Sequence, residues 1–382
     1  MLSVPIFGGW LCLLFARNVA MLYVGRFLTG FSGAFSVLAP GFITELCQIE
    51  IRGALATSMQ LMTMLGLLST YSIGAYIDWR TLTIICSTVP VFSILSLTSI
   101  PRSPVFLLTK GLKEDARLSL QFYRGSKADV DEELIKLEQS ITEMKSVEQT
   151  GMKKILTDRT YLKPLILSLM LMMLQQLSGI KFIQSYIFQI FLNARSHIDS
   201  NMSVIIVGVV QVTGTSVSAL LVEKFGRRKL LILSEILISI AFWMLGSYCF
   251  LQEHFKSYIL HLTWLPLMSI ITFSLAYSLG MGPLPWVLNA ELFSKEAKAS
   301  SSTFCASFNW LFSFLVVKCC PILEASIGAS GSYLTFATIA LFGAVLIGFT
   351  LPETKGKSEE EIKNYFKTKN VGINNNDISV IV

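Results

Sequence analysis

The stretch LMMLQQLSGIKFIQSY, Leu171 to Tyr186, sets Gln175, Gln176 and Lys181 inside an apolar run whose preceding residues, Leu165 to Met173, are almost all Leu, Ile and Met. The run covers roughly residues 164–192, and about 20 helical residues suffice to cross the hydrocarbon core of a bilayer. Nine more such runs follow the chain, at roughly 2–16, 20–43, 54–76, 81–100, 202–222, 230–250, 262–289, 302–322 and 333–351. Of the 382 residues, 53% are hydrophobic and 15% charged, against about a quarter charged in a soluble domain. The mean hydropathy is +0.61. The period-2 alternation of a membrane barrel is absent, so the expected fold is an all-α integral membrane protein with 10 transmembrane helices.

The charges orient it. Most of the 31 Lys and Arg residues fall in alternate loops and the C-terminal tail, leaving Arg17, Arg80, Arg195 and Lys256 in the other set. The positive-inside rule makes the rich set cytoplasmic. Both termini are then expected inside, as an even number of spans requires, in a multi-pass protein of the plasma membrane. The net charge of +6 reflects this topology, and no nucleic-acid partner is expected. No basic region precedes the first apolar run, so no cleavable signal peptide is expected at Met1. The seven cysteines lie in or beside spans without metal-ligand spacing and read as small buried hydrophobes. No metal or other cofactor is expected.

One large polar interruption organises the chain into an N-terminal bundle over 1–100, a cytoplasmic linker over 101–163, a C-terminal bundle over 164–351 and a tail over 352–382, expected to be disordered. Within the linker, Asp129 can cap a helix, Glu132 can complete a capping box, and Leu134, Leu137, Ile141 and Met144 form an apolar stripe. Short amphipathic helices on the cytoplasmic face are the expectation. A repeat relates the halves. FITELCQIEIRGALATS (Phe42 to Ser58) and LNAELFSKEAKASSST (Leu288 to Thr303) each place a Glu, then a basic residue seven positions later, then small residues opening a span: Glu45 to Arg52, and Glu291 to Lys298. PRSP from Pro101 and PETK from Pro352 close spans at nearly the same offset. Two homologous transporter halves repeat in this way. On that register the partners of Lys163 and of GRRK (Gly226 to Lys229) fall before Met1, so two spans are expected to be missing.

Seven motifs carry a resemblance: GRFLTG (Gly25 to Gly30), Glu45 with Arg52-Gly53, QQLSGI (Gln175 to Ile180), VEKFGRRK (Val222 to Lys229), GPLPW (Gly282 to Trp286), Asn309-Trp310 and PETKGKS (Pro352 to Ser358). In that order, over Met1 to about Lys363, they resemble the sugar porter family of the major facilitator superfamily, and within it the insect facilitated trehalose transporter-like proteins. The resemblance implies a major facilitator fold of two pseudo-repeat bundles, of which this chain would supply spans three to twelve. It departs from the pattern where the first two spans and the first GRR-type loop are absent. Arg102 stands where the family usually has Glu, Lys181 replaces a commonly found Asn, and Lys298 stands where Arg is usual.

A sugar is neutral and dense with hydroxyls, and amides both donate and accept hydrogen bonds without adding charge. Polar side chains in the membrane core tend to face the bundle interior. Counted along one helix from Pro164, Gln175 lies about 17 Å in, near mid-membrane, and shares a face with Ser178, Gly179 and Phe182, while Gln176 points about 100° away. Spacing alone leaves two readings open, ligand binding and amides that glue helices together. The resemblance implies sugar contacts from Gln175 and Gln176, with Gln60, Gln211, Trp286 and Asn309 as further contacts. Lys181, about 26 Å from Pro164 on the same count, either snorkels outward or lines an outer vestibule. Pro283 and Pro285 remove two backbone donors and should break the helix at GMGPLPW. By resemblance, Glu223, Arg227, Arg228, Glu291 and Lys298 form ion pairs of about 1 kcal/mol each that close an inner gate, with Glu45 and Arg52 their counterparts in the other half.

No G-x-x-x-x-G-K-[ST] or H-E-x-x-H motif is present, and an enzyme is not expected. The expected function is facilitated diffusion of trehalose or a hexose by alternating access, with the bilayer and a small neutral sugar as partners. Proton symport is the rival coupling mode, with Glu235 the main buried acidic candidate for it, although its place just after GRRK suggests an interfacial role instead. A non-transporting truncated isoform or nutrient sensor is the rival class. Gln175→Ala is expected to abolish uptake with surface expression intact. Asn201-Met202-Ser203 is a sequon that abuts a span and is expected to stay unglycosylated.

Overall fold

The computed structural model describes residues 3–34, 46, 52–125, 129–146, 152–194, 198–255, 261–293, 297–355 and 361. Every regular element among them is an α-helix, and the chain divides into two compact units, Met1–Val147 and Glu148–Val382.

The first unit holds α1 (Ser3–Leu14), α2 (Val19–Ala34), α3 (Arg52–Gly74), α4 (Trp79–Thr98) and the short helices α5 (Pro104–Thr109), α6 (Lys113–Arg124) and α7 (Asp131–Ser146). Between helices in lipid there is little hydrophobic drive, so close backbone approach supplies the packing. α1 and α2 meet in this way. A Cβ on Gly9 would lie 2.8 Å from Thr29 Cγ2, and one on Gly25 would lie 2.8 Å from Leu13 Cγ. The Asp78 carboxylate opens α4 by accepting the backbone N–H groups of Arg80 and Thr81.

The polar stretch 101–163 is shared between the units. α5 to α7 form a small apolar core of Leu107, Ala116, Leu120, Val130 and Leu134, with Leu137 packed against it. Ile141 of the expected stripe is buried, and the side chain of Met144 lies outside the described residues. Asp129 accepts the backbone N–H of Asp131 at 3.1 Å, but Glu132 faces Lys136 one turn on at 3.7 Å instead of reaching back to close a capping box. Arg124 grips Glu133 through two nitrogens, at 2.6 and 3.0 Å, and donates to the Leu46 carbonyl at 2.9 Å. It thereby pins the helices to a residue ahead of α3.

The second unit holds α8 (Met152–Thr157), α9 (Arg159–Leu177), α10 (Ile180–Ala194), α11 (Ser200–Phe225), α12 (Arg227–His254), α13 (Leu265–Leu279), α14 (Leu284–Glu291) and α15 (Lys298–Thr350). Ile155 of α8 is fully buried with Leu165, Met172, Phe293, Ala297 and Cys305. Hydroxyls clasp neighbouring backbones: Tyr248 donates to Ala194 O at 2.6 Å, Ser239 to Ala337 O at 2.8 Å and Ser330 to Gly246 O at 2.9 Å. Six segments among the described residues are long and apolar enough to cross a membrane: Trp79–Ser96, Thr160–Ala194, Ser200–Ser218, Arg227–His254, Leu265–Glu291 and Lys298–Thr350.

The last of these, 53 residues long, would reach about 80 Å as one straight helix, far more than a bilayer. It is two arms that meet at Gly328, whose φ of 76° and ψ of 169° are non-helical. Along the first arm, Cys305 packs with Leu165 and Met172, and Asn309 reaches Gln175 and Gln176, so the arm runs parallel to α9. Along the second, a Cβ on Gly343 would lie 3.2 Å from Leu174, and Thr350 reaches Met170, so that arm runs antiparallel to α9. The chain therefore reverses at Gly328, where only glycine adopts the required conformation without strain.

The run 164–192 is not one helix. α9 ends at Leu177 and α10 begins at Ile180, with Gly179 at φ 79° between them. A Cβ on Gly179 would lie 2.8 Å from Phe242 Cζ, inside a cluster of Phe182, Phe242, Phe273, Tyr333 and Phe336 rings with centroids 5.1–6.2 Å apart. The shared face expected for Gln175 and Phe182, and the position of Lys181 counted along one axis, both fail at this break.

Candidate functional site

The glutamines occupy the last turn of α9. Its start is fixed by Asp158, which accepts the Thr160 N–H at 2.9 Å. At its end, Ser178 Oγ donates to Gln175 O at 2.7 Å, satisfying a carbonyl that the break orphans. Gln175, Gln176 and Asn309 are 1%, 3% and 3% exposed, too buried for any of their polar atoms to be left to bulk water.

What they face is the second broken helix. Between α13 and α14, Pro283 cannot donate to the Leu279 carbonyl, nor Pro285 to that of Met281. Ser218 Oγ from α11 donates to Leu279 O at 3.0 Å, and Gln175 Nε2 donates to Met281 O at 2.8 Å and to Gly282 O at 2.9 Å. The expected break at GMGPLPW is present, and side chains of other helices re-satisfy it. Asn309 from α15 then joins both glutamines: its Nδ2 donates to Gln175 Oε1 at 2.9 Å and to Met172 O at 3.1 Å, and its Oδ1 accepts from Gln176 Nε2 at 2.9 Å. Every polar atom of the Gln175 side chain is engaged. Gln176 Oε1 and Gln211 Oε1 are buried without a partner among the described residues, and buried carbonyls in that state are rare enough to mark a place where a donor belongs.

The remaining predicted contacts lie on other helices. Gln211, 3% exposed, lies on α11, and Trp286, 36% exposed, on α14. Gln60 is half-buried on α3 in the first unit. Lys181 opens α10, half-buried, with its ammonium 5.8 Å from the centroid of the Trp310 ring and 3.4 Å from Gln184 Oε1.

A second cluster gathers the charged motifs of this unit. Gly226, at φ 83°, opens α12 without a side-chain cap of its own. Glu353 supplies one from the far end of the sequence, accepting the backbone N–H of Arg227 at 3.0 Å and of Arg228 at 3.2 Å. A Cβ on Gly226 would lie 2.8 Å from that carboxylate. Arg227 pairs with Glu291 at 3.1 Å, and the other Glu291 oxygen accepts the Thr354 hydroxyl at 2.7 Å. Arg228 donates to the Gly348 carbonyl instead of a carboxylate. Lys298, at the start of α15, is exposed and pairs with no carboxylate among the described residues. Glu45 lies outside the described residues, as do the side chains of Arg52 and Glu223. Sequence reasoning missed Glu353 and Thr354 as members of this cluster, although PETK had been singled out as a span end.

Glu235 is not interfacial. It is 1% exposed on α12, with both carboxyl oxygens lacking a hydrogen-bond partner among the described residues. Nearness to GRRK misplaced it, because α12 starts at Arg227 and carries Glu235 more than two turns into the unit. No group of three or more His, Cys, Asp or Glu among the described residues can hold a metal ion.

The chain is similar to known proteins over most of its length. The family described as sugar (and other) transporter matches residues 1–366. The facilitated trehalose transporter Tret1 of Culex quinquefasciatus is 38% identical over 365 residues, covering 94% of this chain and 70% of that protein. Its namesake from Apis mellifera ligustica is 33% identical over 365 residues, covering 95% and 72%. Among solved structures, the xylose transporter XylE from E. coli in a partially occluded inward-open conformation has a TM-score of 0.77 at 22% identity, covering 94% of this chain and 81% of its own. The proton:xylose symporter XylE bound to 6-bromo-6-deoxy-D-glucose gives 0.72 at 22%, covering 96% and 82%. At that identity the structural likeness speaks for the fold, which is that of the major facilitator superfamily.

Proposed function

We propose, from the premise that this chain belongs to the sugar transporter family of the major facilitator superfamily, that it carries trehalose or a hexose across the plasma membrane by facilitated diffusion. The observation that carries the reading is the buried amide group of Gln175, Gln176 and Asn309. It holds neutral donors and acceptors where a polyol can exchange hydrogen bonds with them, and Gln176 Oε1 awaits a donor. Gln175 serves this arrangement by holding the broken α13–α14 segment, while Gln176 and Gln211 offer free acceptors to hydroxyls. Trp286 adds a contact by laying a ring against the C–H face of the sugar, and Gln60 is the sugar contact proposed for the first unit. Transport of this kind proceeds by alternating access, in a chain of ten spans with cytoplasmic termini. The pair Arg227–Glu291 and the Glu353 cap bias the equilibrium at the cytoplasmic end, with Arg228, Glu223 and Lys298, and with Glu45 and Arg52 in the other half.

Proton symport is the second reading, favoured by Glu235, a buried carboxyl whose oxygens have no hydrogen-bond partner among the described residues. Uptake of radiolabelled trehalose and glucose into oocytes expressing the chain, with and without a protonophore, tests both. Saturable uptake indifferent to the protonophore supports facilitated diffusion. Uptake that the protonophore abolishes moves the assignment to symport. Absence of uptake of either sugar by protein demonstrated at the cell surface defeats both.

A further inference from the structure

Lys181 is an ammonium group in the first turn of α10, five residues after Gln176, and its neighbours are an unusual set for a cation. Its Nζ faces the Trp310 ring at 5.8 Å and Gln184 Oε1 at 3.4 Å, and no Asp or Glu pairs with it among the described residues. Trp310 follows Asn309, the residue that bonds both glutamines. The Trp310 ring also lines a groove of about 620 Å³ together with Tyr186, Ser313, Phe314 and Lys318. An ionisable group at membrane depth is costly, and where it persists it ordinarily meets an opposite charge. The first turn of α10, which carries Lys181, adds the positive end of a helix dipole at the same place.

We infer that Lys181 is a specificity-determining residue that favours sugars carrying a carboxylate, whose anion pairs with its ammonium beside Trp310 while the ring hydroxyls engage Gln176 and Asn309. The inference rests on the sugar-site reading of those amides and narrows it to acidic sugars such as a uronate. The pairing is chemically specific. A cation over an aromatic face retains its attraction to the ring while its other N–H groups point toward an incoming anion, and a carboxylate bound through a charge-assisted hydrogen bond outcompetes a neutral hydroxymethyl at the same position.

The test uses the full chain purified in detergent. Equilibrium binding of radiolabelled glucose and of radiolabelled glucuronate, which share a ring and differ at the carboxylate, is measured separately at neutral pH. Glucuronate is expected to bind at least about ten-fold more tightly. K181Q should remove that excess while glucose affinity stays within about two-fold, and K181R should keep it. Equal affinities in the wild type, or an excess that survives K181Q, overturn the inference. The wild-type comparison alone decides if K181Q fails to fold. Glucose binding without glucuronate binding overturns this inference and leaves the neutral-sugar reading standing. Glucuronate binding without glucose binding does the reverse, and binding of neither overturns both.

Discussion

Gln175 Nε2 lies 2.8 Å from the carbonyl oxygen of Met281, the carbonyl that Pro285 leaves without a helical donor. A side chain in one broken helix thus repairs another. This divides the work of two adjacent glutamines: Gln175 is bound up in structure, and Gln176 keeps a free acceptor.

Replacing each glutamine by leucine should separate those roles. Gln175→Leu leaves Met281 O, Gly282 O and Asn309 Nδ2 short of partners, at about 1–3 kcal/mol for a buried group left unmade. Its melting temperature in detergent and its surface expression should both fall. Gln176→Leu loses one hydrogen bond and should melt within a few degrees of wild type while losing sugar uptake. Equal melting temperatures for the two variants would contradict the division, and would return Gln175 to the expectation from sequence that its loss spares expression.

Gly179 makes the break between α9 and α10, and alanine there meets two separate obstacles. Left-handed backbone costs about 1–2 kcal/mol for a residue with a Cβ, and the contact with Phe242 adds about 1–3 kcal/mol of overpacking. Gly179→Ala should therefore destabilise strongly in thermal unfolding. Adding Phe242→Leu should recover the steric part only. Full recovery would mean that the φ of 79° imposes no strain.

At the charged cluster around Gly226, Arg227 and Glu291 are 20% and 27% exposed, so water screens the pair and about 1 kcal/mol is its expected worth. Glu291→Gln should alter uptake by several-fold without unfolding the protein. Exchanging the charges, Arg227→Glu with Glu291→Arg, should restore part of the loss. No recovery in the exchanged variant would show that Thr354, not the ion pair, is the contact that matters at Glu291.

The Glu353 cap gives a sharper outcome. Both carboxylate oxygens accept N–H groups, and an amide offers one acceptor and turns an NH2 toward the other donor. Glu353→Gln should therefore be as damaging as Glu353→Ala, each by about 1 kcal/mol of lost capping, measured by thermal unfolding. A glutamine variant that melts like wild type would remove the cap from the account.

Among the short helices α5 to α7, Arg124→Lys keeps the charge but cannot hold Glu133 through two nitrogens while reaching Leu46 O. Proteolysis at 101–146 should be faster in this variant than in wild type. An unchanged digestion rate would show that the apolar core of Leu107, Leu120 and Leu134 suffices.

The apolar runs and the broken helix at GMGPLPW were legible in the sequence because composition over twenty residues and two prolines have direct consequences for a backbone in lipid. The break at Gly179 was not. Glycine is ordinary within membrane helices, and the Phe242 ring that leaves no room for a Cβ at this position comes from more than sixty residues away. Glu353 escaped notice because its partners are backbone N–H groups, which carry no signature in the sequence. Glu235 was misread since a carboxylate near GRRK suggests water, whereas the helix carrying it leads inward. The amide cluster was half legible: the residues could be named, but Asn309 as the joint between both glutamines emerges only from three dimensions.

The reversal at Gly328 leaves no loop between the arms of α15. The backbone on both sides of the turn is helical, so an epitope tag inserted there would cut into a helix, and its effect on thermal unfolding would have to be known before such a tag could serve in a topology map.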